Sequence, residues 1–182
     1  MEVEKNNQKI KKLVYGALFV ALTVAVHSAR IQTPVTTISF KGLPIILSGL
    51  FLGAPMGFAV GTVADVVAFI VRPSPFPFNP LFTLTSALTG AIPAIMMKLL
   101  KDEGEFKLWK VLISIAVGQF ITTVTLVPIF RVLIFKLFAQ GGEAPLFTVL
   151  FTKALIKQAI HVPIYSLITV AVYKPLKASK LL

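Results

Sequence analysis

The sequence predicts an all-α integral membrane protein, a single compact bundle of six transmembrane helices with both termini in the cytoplasm. Three observations predict this class: 56% of the 182 residues are hydrophobic, only 14% are charged, and the mean hydropathy is +0.87. Soluble domains carry about 25% charged residues, so much of this surface must face lipid. Since one span takes roughly 20 apolar residues, five or six spans fit, and an ATPase domain does not.

The first three helices are predicted from apolar runs in the N-terminal half. A lysine-rich tail at 1–12 precedes the first run, at about 13–29. That run lacks a clear small-residue cleavage site, so we interpret it as a retained helix rather than a signal peptide. The next run is too long for one span, and the turn-forming residues from Gly53 to Gly57 divide it. Two shorter helices are therefore expected, at about 43–53 and 57–71.

Three longer apolar runs predict the remaining helices. They lie at about 81–100, 108–138 and 146–173, and a cytoplasmic tail at 174–182 follows them. Pro128 and Pro163 fall inside the last two helices, where a proline ring conflicts with the preceding turn and favours a kink. The whole chain, 1–182, is expected to form one membrane domain.

Basic residues predict the orientation, because Lys and Arg beside spans tend to stay cytoplasmic. With six spans both termini share a side, which collects most of the 18 basic residues. These are Lys5, Lys9, Lys11, Lys12, Lys98, Lys101, Lys107, Lys110, Lys174, Lys177 and Lys180. The other side has Lys41 and Arg72. The net charge of +11 thus reflects topology rather than nucleic-acid binding, and outward segments are expected at about 30–42, 72–80 and 139–145.

Other basic residues lie at or inside the outer halves of the predicted spans. They are Arg30, Arg131, Lys136, Lys153 and Lys157. A charge near the bilayer centre costs about 2.5–3.5 kcal/mol, so it faces a polar cavity or a partner unless it snorkels to the headgroups. Asp65, the one acid inside a span, cannot neutralise them all. Lys153, Lys157 and His161 share a helix face, which predicts an anion-binding outward cavity unless Lys153 lies at the interface and Lys157 alone looks inward.

Polar and aromatic residues of the second outward segment add candidate ligand contacts. Residues 72–80 contain four prolines in nine residues, which makes a stiff loop that presents Phe76 and Phe78. These rings either stack on a flat ligand or anchor the loop in the membrane interface. Asn79 and Thr83 bring hydrogen-bonding groups to the fourth helix, although hydroxyls in membrane helices more often bond their own backbone.

The sequence contains no recognisable catalytic or metal centre. Cysteine is absent, and His27 and His161 are too few for a metal site without other ligands. No phosphate-binding loop, HExxH or Ser-His-Asp pattern occurs. Gln119 in the fifth helix is costly to bury, so it joins the ligand candidates rather than a catalytic set. No metal, no cofactor and no enzymatic activity are therefore predicted.

Small residues recur on the first helix at a spacing of four. Ala17, Ala21 and Ala25 form a ridge with Gly16 beside it, and such a ridge permits close helix approach. It either packs against a neighbouring helix of the same chain or docks another subunit.

Together these features resemble a known family, the substrate-binding S components of energy-coupling factor (ECF) vitamin transporters. The alanine ridge is similar to their Ala-x-x-x-Ala docking motif. Other runs resemble the folate-specific branch, with its Phe-x-x-Leu-Pro, Phe-Gly-Pro, Ala/Ser-Asp and Phe-Thr-Leu-Thr series. These runs lie at 38–45, 48–57, 61–65 and 78–90. The chain departs from the pattern by an extra residue before Arg30 and by Asn79 where a Gly is expected.

The resemblance implies the binding subunit of an ABC importer in the bacterial cell membrane. It would capture folate or a related pterin outside and dock on a transmembrane coupling subunit, with ATP bound only by two partner ATPases. Asp65 would accept from the pterin N–H donors, Phe76 and Phe78 would stack on the ring, and cations would meet the tail carboxylates. The ligand candidates are Arg30, Phe40, Asp65, Phe76, Phe78, Asn79, Thr83, Gln119, Arg131, Lys157 and His161.

Alternative functions remain open at this point. Within the family, riboflavin, pantothenate or a queuosine precursor are other ligands, whereas cationic thiamine does not suit the basic excess. A small intramembrane enzyme or an assembly protein is an alternative from another class. An enzyme predicts turnover without ATPase partners, and an assembly protein predicts no small-molecule site.

Overall fold

The computed structural model describes residues 2–29, 31–32, 37–73, 78–101, 106–138 and 146–178. The chain forms two compact units, residues 1–95 and 96–182, each of which is described by itself. The helices are α1 (Glu2–Ser28), α2 (Gly42–Leu52), α3 (Ala54–Val71), α4 (Pro80–Leu99), α5 (Leu108–Gln119), a π-helical segment (Phe120–Leu126), α6 (Val127–Phe138) and α7 (Phe147–Ala178). Two short strands, β1 (Ile31–Gln32) and β2 (Thr37–Ile38), pair antiparallel between α1 and α2.

The predicted helical class is confirmed, and a helix lies at each predicted position. Among the described residues, five helical stretches are long and apolar enough to cross a membrane, and α2 is a shorter apolar helix. α1 begins at Glu2, earlier than predicted, since the polar residues before the apolar run are mostly good helix formers. The predicted kink sites differ: α7 runs through Pro163, whereas a π-helical segment immediately precedes α6 and its Pro128.

The break between α2 and α3 consists of one residue, Gly53, rather than the predicted stretch from Gly53 to Gly57. Its φ of 96° and ψ of 162° lie in a region that is essentially restricted to glycine. The Gly53 N–H still donates to the Gly49 carbonyl at 2.9 Å, which ends α2. Pro55 in the first turn of α3 needs no backbone donor, so the next helix starts at once.

Glycines bring the backbones of α2, α3 and α4 into direct contact in the first unit. A Cβ atom on Gly57 would lie 2.5 Å from the Gly49 Cα and 2.6 Å from the Gly90 carbonyl oxygen. A Cβ on Gly90 would overlap the Gly57 carbonyl, and one on Gly61 would overlap the Ser86 carbonyl. Side chains are thus excluded from this contact, which fixes α3 and α4 antiparallel.

α1 packs on α2 and α3 with one face only. Gly16 and Thr23 are buried there, whereas Ala17, Ala21 and Ala25 lie on the exposed face. At the end of α1, the Arg72 guanidinium donates to the Ser28 carbonyl oxygen, one of the acceptors that a helix end leaves unsatisfied. Arg72 therefore ties the end of α3 to the end of α1.

The second unit is built on the packing of α5 and α7. Val111 and Ile115 of α5 and Tyr165 of α7 are buried in it. The rings of Phe106 and Tyr173 stack at one end with a centroid distance of 3.9 Å. Phe120 and Phe151 meet edge to face at 6.4 Å further along the two helices.

Candidate functional site

The first unit contains a carboxylate that is held by three donors. The Lys41 Nζ lies 2.6 Å from the Asp65 Oδ1, the Ser86 hydroxyl donates to the same oxygen at 2.9 Å, and the Thr83 hydroxyl donates to Oδ2 at 2.9 Å. The side chain of Asp65 is 14% exposed and that of Lys41 is 31% exposed. We call these four residues the Asp65 cluster.

The glycine contact between α3 and α4 explains why the cluster forms. Gly61 lies one turn before Asp65 on α3 and touches the backbone at Ser86 of α4. Continuing the antiparallel register by one turn brings Asp65 opposite Thr83 and Ser86, which share a face of α4 at a spacing of three. The two hydroxyls are therefore directed at the carboxylate by backbone packing.

Charge balance accounts for the presence of Lys41 in this cluster. An isolated carboxylate in an apolar span is costly, and a paired, hydrogen-bonded one is tolerated. Sequence reasoning counted Lys41 only as an outward loop lysine. The ion pair joins positions 24 residues apart, so the sequence carried only a weak signal for it. That signal was a single lysine in an outward segment, followed along the chain by a span with a single acid.

The second unit contains two cations that we call the cationic pair, the exposed Arg131 of α6 and the half-buried Lys157 of α7, on two helices that pack against each other. The predicted stripe on α7 has graded exposure: Lys153 is exposed, Lys157 is half-buried and His161 is buried. The His161 Nδ1 lies 2.8 Å from the Lys157 carbonyl oxygen. The three side chains of this helix face therefore differ in how far they are buried within the unit. The sequence ranges 106–138 and 146–178 contain no Asp or Glu, so these cations attract anions.

Gln119 is buried at the junction of α5 and the π-helical segment, with 3% of its surface exposed. The Thr123 hydroxyl donates to its Oε1 at 2.7 Å, which leaves the amide nitrogen as a donor. In the π-helical segment the Thr125 hydroxyl bonds the carbonyl five residues back, at Phe120. π-Helical turns often occur at functional sites because they redirect side chains.

The remaining candidates occupy less specific positions. Phe78 is exposed and contacts Phe69 edge to face at 5.3 Å, and Phe40 is exposed beside Lys41. The Asn79 Oδ1 accepts from the Leu81 N–H at 3.0 Å, so this side chain caps the start of α4. Arg30 and Phe76 lie outside the described residues.

The described residues contain no group of three or more His, Cys, Asp or Glu that could hold a metal ion. The chemistry that they offer is recognition. The Asp65 cluster presents an acceptor fixed by donors, and the cationic pair presents positive charge. A multi-helix membrane protein with these two features has the character of a polar-ligand binding protein.

Comparisons with known proteins define this class further. Residues 11–173 match the family model of the ECF transporter substrate-specific component, and the chain belongs to this family. A curated relative, the folate transporter FolT of Clostridium novyi (strain NT), is 26% identical over 168 residues that cover 92% of this chain and 90% of the relative. A crystal structure described as FolT bound with folic acid has a TM-score of 0.71 and 24% identity, covering 92% of this chain and 96% of that one.

The family match confirms a transport component rather than an enzyme, as the sequence predicted. It confirms an S component of an ECF transporter and a membrane protein with several spans. The similarity in fold to the FolT crystal structure extends over nearly the whole chain.

Proposed function

We propose that this chain binds folate or a related pterin outside the cell and delivers it through an ECF transporter. The Asp65 cluster is the observation that carries the proposal, because it offers a fixed carboxylate within an apolar helix. A pterin ring presents neighbouring N–H donors on its amino-pyrimidine edge, and a carboxylate matches such a pair of donors. The curated relative is a folate transporter, and the similar crystal structure contains folic acid, which supports the same ligand class.

The cationic pair suits the other end of folate, which carries two carboxylates. Arg131 can bond a carboxylate with two parallel donors, and Lys157 adds a compact charge. An anion that binds beside either cation gains a favourable charge interaction. Gln119 and His161 add polar groups to the same unit. Phe40 and Phe78 supply rings for stacking in the other, and Phe76, outside the described residues, stays a candidate from the sequence.

Equilibrium titration of the purified protein with folate tests this function. We expect saturable binding of folate and 5-formyltetrahydrofolate, read from calorimetry or from the single tryptophan, Trp109. Riboflavin, pantothenate and a queuosine precursor serve as controls from other branches of the family. Tight binding of one of these with no binding of folate would refute the folate assignment.

Replacing Lys157 by Met is expected to weaken folate binding by about tenfold, the size of one lost charge-assisted hydrogen bond. The loss should be small for pteroate, which has the pterin ring but lacks the glutamate. Calorimetric titration of both compounds checks this prediction. Lys153→Met is the matched control, because Lys153 lies on the same stripe but is exposed. Equal losses for folate and pteroate would place Lys157 away from the glutamate.

We further propose six membrane crossings with both termini in the cytoplasm, in the bacterial plasma membrane. Support comes from the lysines of the tails and of the loop between α4 and α5. In this orientation Asp65 lies in the outward half of α3, where a ligand from outside can reach it.

We propose that the exposed face of α1 docks the coupling subunit, whose two ATPase partners bind and hydrolyse ATP. Ala17, Ala21 and Ala25 are exposed in this chain, which argues against their use in internal packing. Large apolar residues beside them, Leu18 and Leu22, are exposed as well. Small side chains on such a face permit close approach of a partner helix.

Replacing Ala21 by Trp is expected to abolish co-purification with the coupling subunit and the ATPases, because the indole fills the space that a close helix requires. Folate binding should be unchanged, since Ala21 is exposed and lies outside the Asp65 cluster. Co-purification and folate titration are measured on the same preparation. Ile70→Trp, at an exposed position of α3, is the matched control. Survival of the complex in Ala21→Trp would refute docking through this face.

A further inference from the structure

Lys41 differs from the other two donors of the Asp65 cluster in how firmly it is held. Thr83 and Ser86 are buried on α4, whose backbone is fixed against α3 by the glycine contact. Lys41 immediately precedes α2, and its side chain is 31% exposed and has four rotatable bonds. The two hydroxyls are therefore permanent partners of the carboxylate, and the ammonium is the partner that can be exchanged.

Occupancy of the carboxylate limits how a ligand can bind. An ionised carboxylate has about four acceptor positions. Oδ1 accepts from Lys41 and Ser86, and Oδ2 accepts from Thr83. A ligand with two neighbouring N–H donors needs one position on each oxygen. Oδ2 has a position left, whereas a position on Oδ1 becomes available when Lys41 leaves it.

The displaced ammonium then needs another acceptor, because an uncompensated charge at this depth is costly. A ligand meets both needs if an acceptor atom lies directly beside its donor pair. The 2-amino-4-oxo-pyrimidine edge has this arrangement, with the amino group and ring N–H as donors and the 4-oxo oxygen next to them. The ammonium then moves from Oδ1 to the ligand oxygen and remains near Asp65.

We infer that Lys41 is a specificity-determining residue. In the ligand-free protein it occupies the acceptor position on Asp65 that a ligand donor takes, and it selects rings with an oxo group beside the donor pair. This inference rests on the proposed function and deepens it, because it names the ring edge that the site recognises. In this arrangement Asp65 accepts from the two N–H donors of the ring, and Lys41 donates to the neighbouring oxo oxygen. Rings that offer donors alone leave Lys41 without compensation.

The test compares folate with aminopterin, in which an amino group replaces the 4-oxo oxygen and the neighbouring ring nitrogen loses its hydrogen, so that the contact with Lys41 and one contact with Asp65 both change. We expect the unaltered protein to prefer folate by about hundredfold, and Lys41→Met to reduce this preference by about tenfold, which is the part that the 4-oxo oxygen contributes through Lys41. Lys41→Arg should keep the preference, because it keeps the charged donor. Lys110→Met is the matched control, since the Lys110 Nζ lies near the Lys101 carbonyl, outside the cluster, and it should keep the full preference.

A second measurement on the unaltered protein avoids any folding defect of Lys41→Met. Reductive methylation with ¹³C-formaldehyde labels the lysines, and the resonance missing in Lys41→Arg identifies Lys41. Saturating folate should shift this resonance as the ammonium changes partner. An unshifted resonance, or an unchanged preference in folded Lys41→Met, would overturn the inference alone. Absence of folate binding to the unaltered protein would overturn the proposed function and this inference with it.

Discussion

Asp65→Asn is expected to lower folate affinity by at least about hundredfold while the helices remain folded. The amide keeps the shape of the carboxylate, but it removes the charge and one of the two acceptor oxygens that the pterin donors require. It also leaves Lys41 without its counter-ion, which destabilises the arrangement of the cluster in the ligand-free protein. Calorimetric titration gives the affinity, and circular dichroism confirms the helical content.

Thr62→Val is the matched control for Asp65→Asn. Thr62 lies three residues earlier on α3, and its hydroxyl donates to the Phe58 carbonyl at 2.9 Å, away from the cluster. This variant should bind folate normally. If Asp65→Asn binds folate within about threefold of the unaltered protein, Asp65 does not recognise the ligand, and the ion pair with Lys41 is purely structural.

Gly90→Ala should strongly destabilise the first unit. The added Cβ overlaps the Gly57 carbonyl, and because the overlapping atoms are backbone, there is no side chain that can move aside. Overpacking of this kind costs about 3 kcal/mol. We expect a strongly lowered melting temperature in detergent. Fluorescence-detected size exclusion after heating measures this temperature.

Gly16→Ala is the matched control for Gly90→Ala, because both add one methyl group to a buried helical glycine. The Cβ at Gly16 would lie 2.7 Å from the Met56 Cε, the end of a flexible side chain that can rotate away. Its melting temperature should change little. Equal shifts in the two variants would contradict the view that backbone contact, rather than burial, makes Gly90 irreplaceable.

The helices were predictable because long apolar runs are a strong signal in a chain of this composition. The break at Gly53 was placed correctly, but its extent was overestimated, since Pro55 and Gly57 are turn-forming residues that α3 accommodates inside a helix. The backbone contact of three helices was not predicted. A repeat was visible: glycine recurs every four residues, at Gly49, Gly53, Gly57 and Gly61, as alanine does on the first helix.

The candidate site was predictable only in part. The cost of a lone acid in a span pointed to Asp65, but periodicity within one helix cannot identify a partner 24 residues away, so Lys41 was missed. The stripe on α7 was predicted from spacing, yet spacing gives no depth, and the three members differ in exposure. The π-helical geometry beside Gln119 has no reliable pattern in a single sequence.

The glycine contact also separates the framework of the first unit from its chemistry. Backbone atoms hold α2, α3 and α4 together, so the side chains of the Asp65 cluster contribute little to that contact. Ser86 takes part in this contact through its backbone only, and Thr83 lies about one turn away, so both side chains can change identity without loosening the helices. Such a division makes the unit a suitable starting point for engineering, in which a binding protein for a different small molecule is obtained by exchanging side chains at 41, 65, 83 and 86 alone.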